Sequence, residues 1–272
     1  MPAPVADPAS SEDLLVLARV VAREAAELVR LRREEGVHVA ATKTSSTDVV
    51  TDADRESEAL IRQRILAARP DDAFLGEEGS DTAGSSGVRW IVDPIDGTVN
   101  YFYGLPQYAV SIGVEVDGIA QVGVVVNAAN GDEYAAVRGQ GATRNGQPIA
   151  VRPPKPLERS VILTGYNYER EVRARQAASV AQLVVRVADI RRFGSCALDL
   201  CALAAGQCDG YVEEGCKPWD YAAGRLVAEE AGAVVEVLTG ASGKALVVAA
   251  PGPAYRDFRQ LVEECGFTPH AD

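Results

Sequence analysis

The chain has 272 residues, 47% hydrophobic and 24% charged, with a net charge of −12. That size suits one large domain or two closely joined halves, and the acidity argues against nucleic acid or an anionic membrane as partner. No apolar run approaches the roughly 20 residues that span a bilayer, and the first ten residues lack a signal-peptide pattern, so the cytoplasm is the expected location.

Ser10 and Asp13 have capping-box spacing, after which Leu14, Leu17, Val21, Ala25 and Leu28 recur at helical spacing towards Gly36. Thr51 and Asp54 repeat the signature before a second helix with Ile61 and Ile65 inward, stopped at Arg69-Pro70. Residues 43–51 between them read as a polar loop, and the Gly/Ser-rich residues 79–87 as a mobile one. Strands are expected over 110–116 and 119–126, joined by Asp117-Gly118, with further reversals at Asn130-Gly131 and Asn145-Gly146. The first half therefore reads as two helices on an antiparallel meander.

Pro153, Pro154 and Pro156 mark the boundary between a half over 1–152 and a half over 153–272. In the second half, strands are expected over 160–164, 233–238 and 245–249, and helices over 170–187, 198–205, 221–231 and 255–264. The sum is a mixed α+β fold. Five cysteines form no Cys-x-x-Cys pair, and only His38 and His270 could join them, which disfavours a zinc site. Free, mostly buried thiols are expected.

The stretch Trp90-Ile91-Val92-Asp93-Pro94-Ile95-Asp96-Gly97-Thr98 is the most informative. An apolar strand runs into two aspartates three apart, then a glycine and a hydroxyl. Such carboxylates can converge on hard cations, which prefer oxygen ligands; equally, Asp-Pro and Gly favour a plain turn. Gly76-Glu77-Glu78-Gly79 ends another apolar stub, Ala73-Phe74-Leu75, in a comparable position. Parallel placement of the two strand ends would bring Glu77 and Asp93 together. Trp219-Asp220 opens a later helix, with Asp220 read either as its N-cap or as a ligand, and Trp219 as a core anchor.

As an ordered set these blocks resemble the inositol monophosphatase family, Mg²⁺-dependent and lithium-sensitive phosphatases. The resemblance rests on Trp90 to Tyr101, on Trp219-Asp220-Tyr221-Ala222-Ala223-Gly224, on Gly76-Glu77-Glu78, and on the block from Lys43 through Thr51 to Asp54. It implies a layered αβαβα sandwich, a homodimer, and two or three Mg²⁺. Glu77, Asp93 and the Ile95 carbonyl would hold the first ion; Asp93, Asp96 and Asp220 the second; a third would sit near Glu77. Thr98, helped by Asp54, would orient the attacking water, and the Gly97 and Thr98 amides would receive the phosphate. Gly194, Ser195, Cys196, Glu213 and Asp96 would face the substrate's hydroxyl groups, with Cys196 in place of the family's usual alanine. The implied reaction is hydrolysis of inositol 1-phosphate. Alternatives are the same chemistry on histidinol phosphate, fructose 1,6-bisphosphate, NADP or 3′-phosphoadenosine 5′-phosphate, or a non-catalytic regulatory protein on this fold.

Overall fold

The computed structural model describes residues 10–37, 39–42 and 49–269. The signal-peptide reading of the N-terminus and most of the loop expected over 43–51 lie outside them. Helix α1 (Ser11–Glu35) opens on Ser10, whose hydroxyl accepts from the Asp13 amide, and closes at Gly36, where φ is 116°. Strands β1 (Val39–Thr42) and β2 (Val49–Thr51) pair antiparallel, so the end of the expected loop is strand; Val49-Val50 is a β-branched pair. Helix α2 (Asp52–Ala68) starts at Thr51 with both halves of its capping box made, and buries Ile61 and Ile65 completely.

Seven strands follow in one sheet: β3 (Ala73–Gly76), β4 (Val88–Asp96), β5 (Ala109–Val116), β6 (Ile119–Asn127), β7 (Glu133–Val137), β8 (Ala142–Arg144) and β9 (Gln147–Ile149), in chain order across the sheet. The expected meander holds from β4 onwards, but β3 runs parallel to β4. Residues 77–87 cannot be a hairpin for that reason. They fold back, with Thr82 paired to Phe74 and the Ser85 and Ser86 amides donating to the Asp71 carbonyl, so this expected mobile loop is tethered. A short helix, α3 (Thr98–Tyr103), links β4 to β5.

The second sheet holds β10 (Val161–Thr164), β11 (Asp189–Arg191), β12 (Gly210–Glu214), β13 (Ala233–Thr239) and β14 (Ala245–Pro251), in the order β11-β10-β12-β14-β13. Its helices are α4 (Arg170–Leu183), α5 (Cys196–Ala204), α6 (Pro218–Glu230) and α7 (Tyr255–Glu264). Helix α4 stops four residues before the expected end. Leu183 is buried, Val184 and Val185 are exposed and β-branched, and the chain must reverse there to lay β11 beside β10.

Three cores join five layers, the middle one lying on both faces of the α5 and α6 layer. Val110, Ile112 and Val114 of β5 meet α1 and α2; Ala109, Val125 and Ala136 on the opposite face meet α5 and α6. The second sheet gives Tyr211, Val247 and Ala249 to α5 and α6, and Val212, Leu246 and Val248 to α7. This strict alternation is the strand period of two, and the result is an αβαβα sandwich. Gly113 and Gly123 pair across β5 and β6 beneath α6. A Cβ on Gly113 would stand 2.9 Å from Ala222 Cβ, and one on Gly123 2.6 Å from the Ala223 carbonyl oxygen. Two bare positions thus let α6 settle onto the sheet with its first turn at the strand ends.

Candidate active site

Parallel pairing ends β3 and β4 at one edge. Gly76 pairs with Val92, and the Glu77 amide donates to the Val92 carbonyl at 3.2 Å, so Glu77 and Asp93 emerge side by side. Pro94 has no N–H for the ladder, and the pairing with β5 slips between Asp93 and Asp96. Within this bulge Asp93 accepts from the Ile95 amide at 3.0 Å, and the Pro94 carbonyl accepts from Ser57 of α2 at 3.2 Å. Gly97 follows at φ 97°, where a Cβ would lie 2.7 Å from the Gln107 carbonyl oxygen, so the turn requires glycine.

Asp96 is held from the second half of the chain. Its Oδ2 accepts from Ser195 Oγ at 2.6 Å and from the Ala197 amide at 2.7 Å, at the start of α5. Ser195 also caps α5, accepting from the Leu198 amide. Thr98 Oγ1 lies 3.0 Å from Asp54 Oδ1 and 3.1 Å from the Ile95 carbonyl, and can donate to either. Asp54 Oδ2 takes the Thr51 amide at 2.8 Å. Asp220 is the third residue of α6 and not its N-cap: Lys217 caps, Pro218 leads, and the Lys217 amide donates to Asp220 Oδ2 at 2.7 Å. Trp219 is likewise no core anchor; it is partly exposed and lines the cavity. An N-terminal proline moved the helix start three residues upstream of the expected Tyr221.

Glu77, Asp93, Ile95, Asp96, Gly97, Thr98, Gly194, Cys196, Glu213 and Asp220 line one open cavity. Asp54 and Ser195 stand behind it, bonded to Thr98 and Asp96. The Lys43 to Asp48 part of the family block lies outside the described residues. Sequence reasoning missed Tyr166, Arg192 and Lys244 in the lining, and Asn100, whose amide donates to the Gln107 and Phe193 carbonyls at 2.8 and 2.7 Å. Asn100 thereby ties the Gly97-Thr98 turn to the Gly194 segment. It also missed Glu58, buried beneath the Glu77 turn, which accepts from the Glu78 and Ser80 amides at 2.8 and 3.2 Å. Asn100 could have been flagged by its place inside the Trp90 to Tyr101 stretch; nothing local flags the others.

Burial, then Glu77, Asp96 and Asp220, hold Asp93 well above the usual carboxylate range. Asp220 is raised by burial and by Asp96 and Glu77. Burial pushes Asp96 up to about 7 despite the opposing bonds from Ser195 and Ala197, and pushes Asp54 up to about 7 despite those from Thr51. Glu213 is raised by burial, opposed by its bond from Tyr211. Among the described residues, no three acidic, thiol or imidazole side chains form a finished metal cage. The donor chemistry nevertheless fits hard divalent cations: buried, mutually repelling carboxylates and a backbone carbonyl, all oxygen, with no histidine among the lining residues.

Five layers with a cluster of carboxylates in one cavity at the strand ends make a layered α+β protein with a candidate site for hard cations. The profile of the inositol monophosphatase family matches residues 10–265, and the chain belongs to that family, whose members are generally metal-dependent. It is 42% identical to Mycobacterium tuberculosis inositol-1-monophosphatase SuhB, over 94% of this chain and 96% of that protein. It is 39% identical to the Nus factor SuhB of Vibrio cholerae, over 84% and 86%. Among solved structures, the extragenic suppressor protein SuhB of Bartonella henselae superposes with a TM-score of 0.85 at 31% identity, covering 93% of this chain and 99% of that one. A structure of SaIMPase-II with bound inositol monophosphate matches at a TM-score of 0.72 and 26% identity, covering 93% and 98%. Among the described residues no helix is long and apolar enough to cross a membrane.

Proposed function

We propose that this protein hydrolyses small phosphate monoesters with Mg²⁺, inositol 1-phosphate foremost. The observation that carries the reading is the convergence of Glu77, Asp93, Asp96 and Asp220 in one cavity with Thr98 and its partner Asp54. Glu77, Asp93, Asp96, Asp220 and the Ile95 carbonyl are the groups to hold two or three Mg²⁺. When bound, such cations neutralise a phosphate dianion and acidify water. Thr98, by donating its proton to Asp54, keeps an oxygen lone pair to receive and aim the attacking water. Gly97 and Thr98 present amides to the phosphate, while Glu213, Cys196 and Gly194 face the alcohol, with Ser195 acting through Asp96.

The inositol monophosphate held by SaIMPase-II supports a polyol phosphate as substrate. The name of the Vibrio relative keeps a regulatory role in view, but every expected carboxylate is present, which favours turnover. A cytoplasmic homodimer inhibited by Li⁺, with no nucleic-acid or membrane partner, belongs to the same proposal. Phosphate release measured on inositol 1-phosphate, histidinol phosphate, fructose 1,6-bisphosphate, NADP and 3′-phosphoadenosine 5′-phosphate, with and without Mg²⁺, tests it. Fastest release from inositol 1-phosphate, abolished by chelation, is expected. Equal rates on all five would sink the substrate assignment, and release undiminished by chelation would sink the metal-dependent reading.

A further inference from the structure

The cavity wall beside Glu213 carries two thiols. Cys196 is the first residue of α5 and Cys216 follows β12; both line the cavity, both are free, and they are 5% and 6% exposed. The two thiols are neighbours in this wall, and each shifts the other's ionisation. The Tyr211 hydroxyl stands 3.7 Å from Cys216 Sγ and donates to Glu213 at 3.0 Å. Cys201, Cys208 and Cys265 are also buried but do not line the cavity, so a reagent entering it meets only this pair.

We propose that Cys196 and Cys216 form a dithiol modification site in the cavity wall, which a peroxide closes to an intramolecular disulfide. The Cys216 thiolate attacks one peroxide oxygen, the O–O bond breaks, and Cys216 becomes a sulfenic acid as hydroxide leaves. The Cys196 thiolate then attacks the Cys216 sulfur, the S–S bond forms, and a second hydroxide departs. The two thiol protons complete two waters, and two electrons pass from the sulfurs to the peroxide. Their interaction favours the thiolate on Cys216 and disfavours it on Cys196, which makes Cys216 the attacking sulfur. Against the Cys196 interaction, burial and the Glu213 and Asp220 carboxylates together push Cys216 up to about 12, so the reaction is slow at neutral pH and quickens as pH rises.

The test needs no substitution and no turnover, so its outcome is independent of the phosphatase reading. The reduced, full-length protein is treated with hydrogen peroxide at mildly alkaline pH, denatured, alkylated and cut before aspartates. Cleavage at Asp189, Asp199, Asp209 and Asp220 places Cys196 in fragment 189–198, Cys201 and Cys208 in 199–208, and Cys216 in 209–219. The expected result is a disulfide joining 189–198 to 209–219, reversed by dithiothreitol, with Cys201, Cys208 and Cys265 still alkylated. Full alkylation of Cys196 and Cys216 after treatment overturns the proposal. So does a disulfide involving any other cysteine, or oxidation of either sulfur to a stable acid without linkage.

Discussion

Thr98 and Asp54 are joined by a 3.0 Å hydrogen bond between the first residue of α3 and the first turn of α2, and Asp54 is itself pinned by the Thr51 amide. One carboxylate therefore completes a helix cap and orients a hydroxyl in the cavity. Thr98→Ala should lower kcat on inositol 1-phosphate by a factor of about 100 or more, the usual scale for a positioned proton-transfer group, with Mg²⁺ dependence retained. Asp54→Ala should do the same and also lose about 1 kcal/mol of stability from the broken cap. Steady-state kinetics beside urea unfolding separate the two effects; a Thr98→Ala variant with unchanged kcat refutes the water-positioning role.

Asp93 is hemmed in by three other carboxylates, Glu77, Asp96 and Asp220. Asp93→Asn should reduce phosphate release to near background. In chelator it should also unfold at higher urea than the parent, because a buried charge has been removed. Loss of activity with loss of metal-free stability would point to a merely structural part.

The titration of Asp96 carries a definite sign. Burial raises it from 3.8 to about 7 in the folded chain. The folded state therefore holds this proton more tightly than the unfolded one, so Asp96 favours folding most at low pH. That contribution is lost as pH climbs from about 4 to about 7, on the order of 4 kcal/mol in all. In chelator, the parent should lose stability relative to Asp96→Asn across this interval, and saturating Mg²⁺ should flatten the difference. A parent-to-variant difference independent of pH would contradict the assignment.

Gly123→Ala places a methyl group where the Ala223 carbonyl oxygen now sits 2.6 Å away. Helix α6 must lift, at a cost of about 1–3 kcal/mol, and Asp220 lifts with it. The expected outcome is a lower melting temperature together with a several-fold higher Mg²⁺ requirement. Normal Mg²⁺ titration would show that Asp220 does not depend on this contact.

Glu58 clamps the Glu78 and Ser80 amides just beyond Glu77. Glu58→Gln, which turns one acceptor oxygen into a donor, should raise the Mg²⁺ concentration for half-maximal rate several-fold while leaving the KM for substrate nearly unchanged. Isothermal titration of Mg²⁺ into the variant is the direct check.

The Ser10 cap, the Thr51 capping box, the Asp117-Gly118 hairpin and the placing of Glu77 beside Asp93 were readable from local pattern, because each depends on residues close in the chain; at Ser10 only the hydroxyl half of the expected box is made. The cavity's far wall was not. Tyr166 lies in the loop after β10, Arg192 in the loop after β11, and Lys244 in the turn before β14, and only the order of the second sheet brings them to one place. The close seat of α6 on Gly113 and Gly123 escaped notice for the same reason: in sequence, a strand glycine looks like a weakness. Helix α3, with six residues, is too short to show a period.

Ser195 links the helix start to the acid cluster with a practical consequence. Its hydroxyl serves the Leu198 amide and Asp96 together, while the Ala197 amide also ends on Asp96. The opening turn of α5 is thus wired to the acid cluster, and its two amide protons act as a gauge of that cluster's charge. Their NMR shifts and exchange rates should respond when Asp96 gains a proton or a cation, giving a spectroscopic meter of occupancy that requires neither substrate nor turnover.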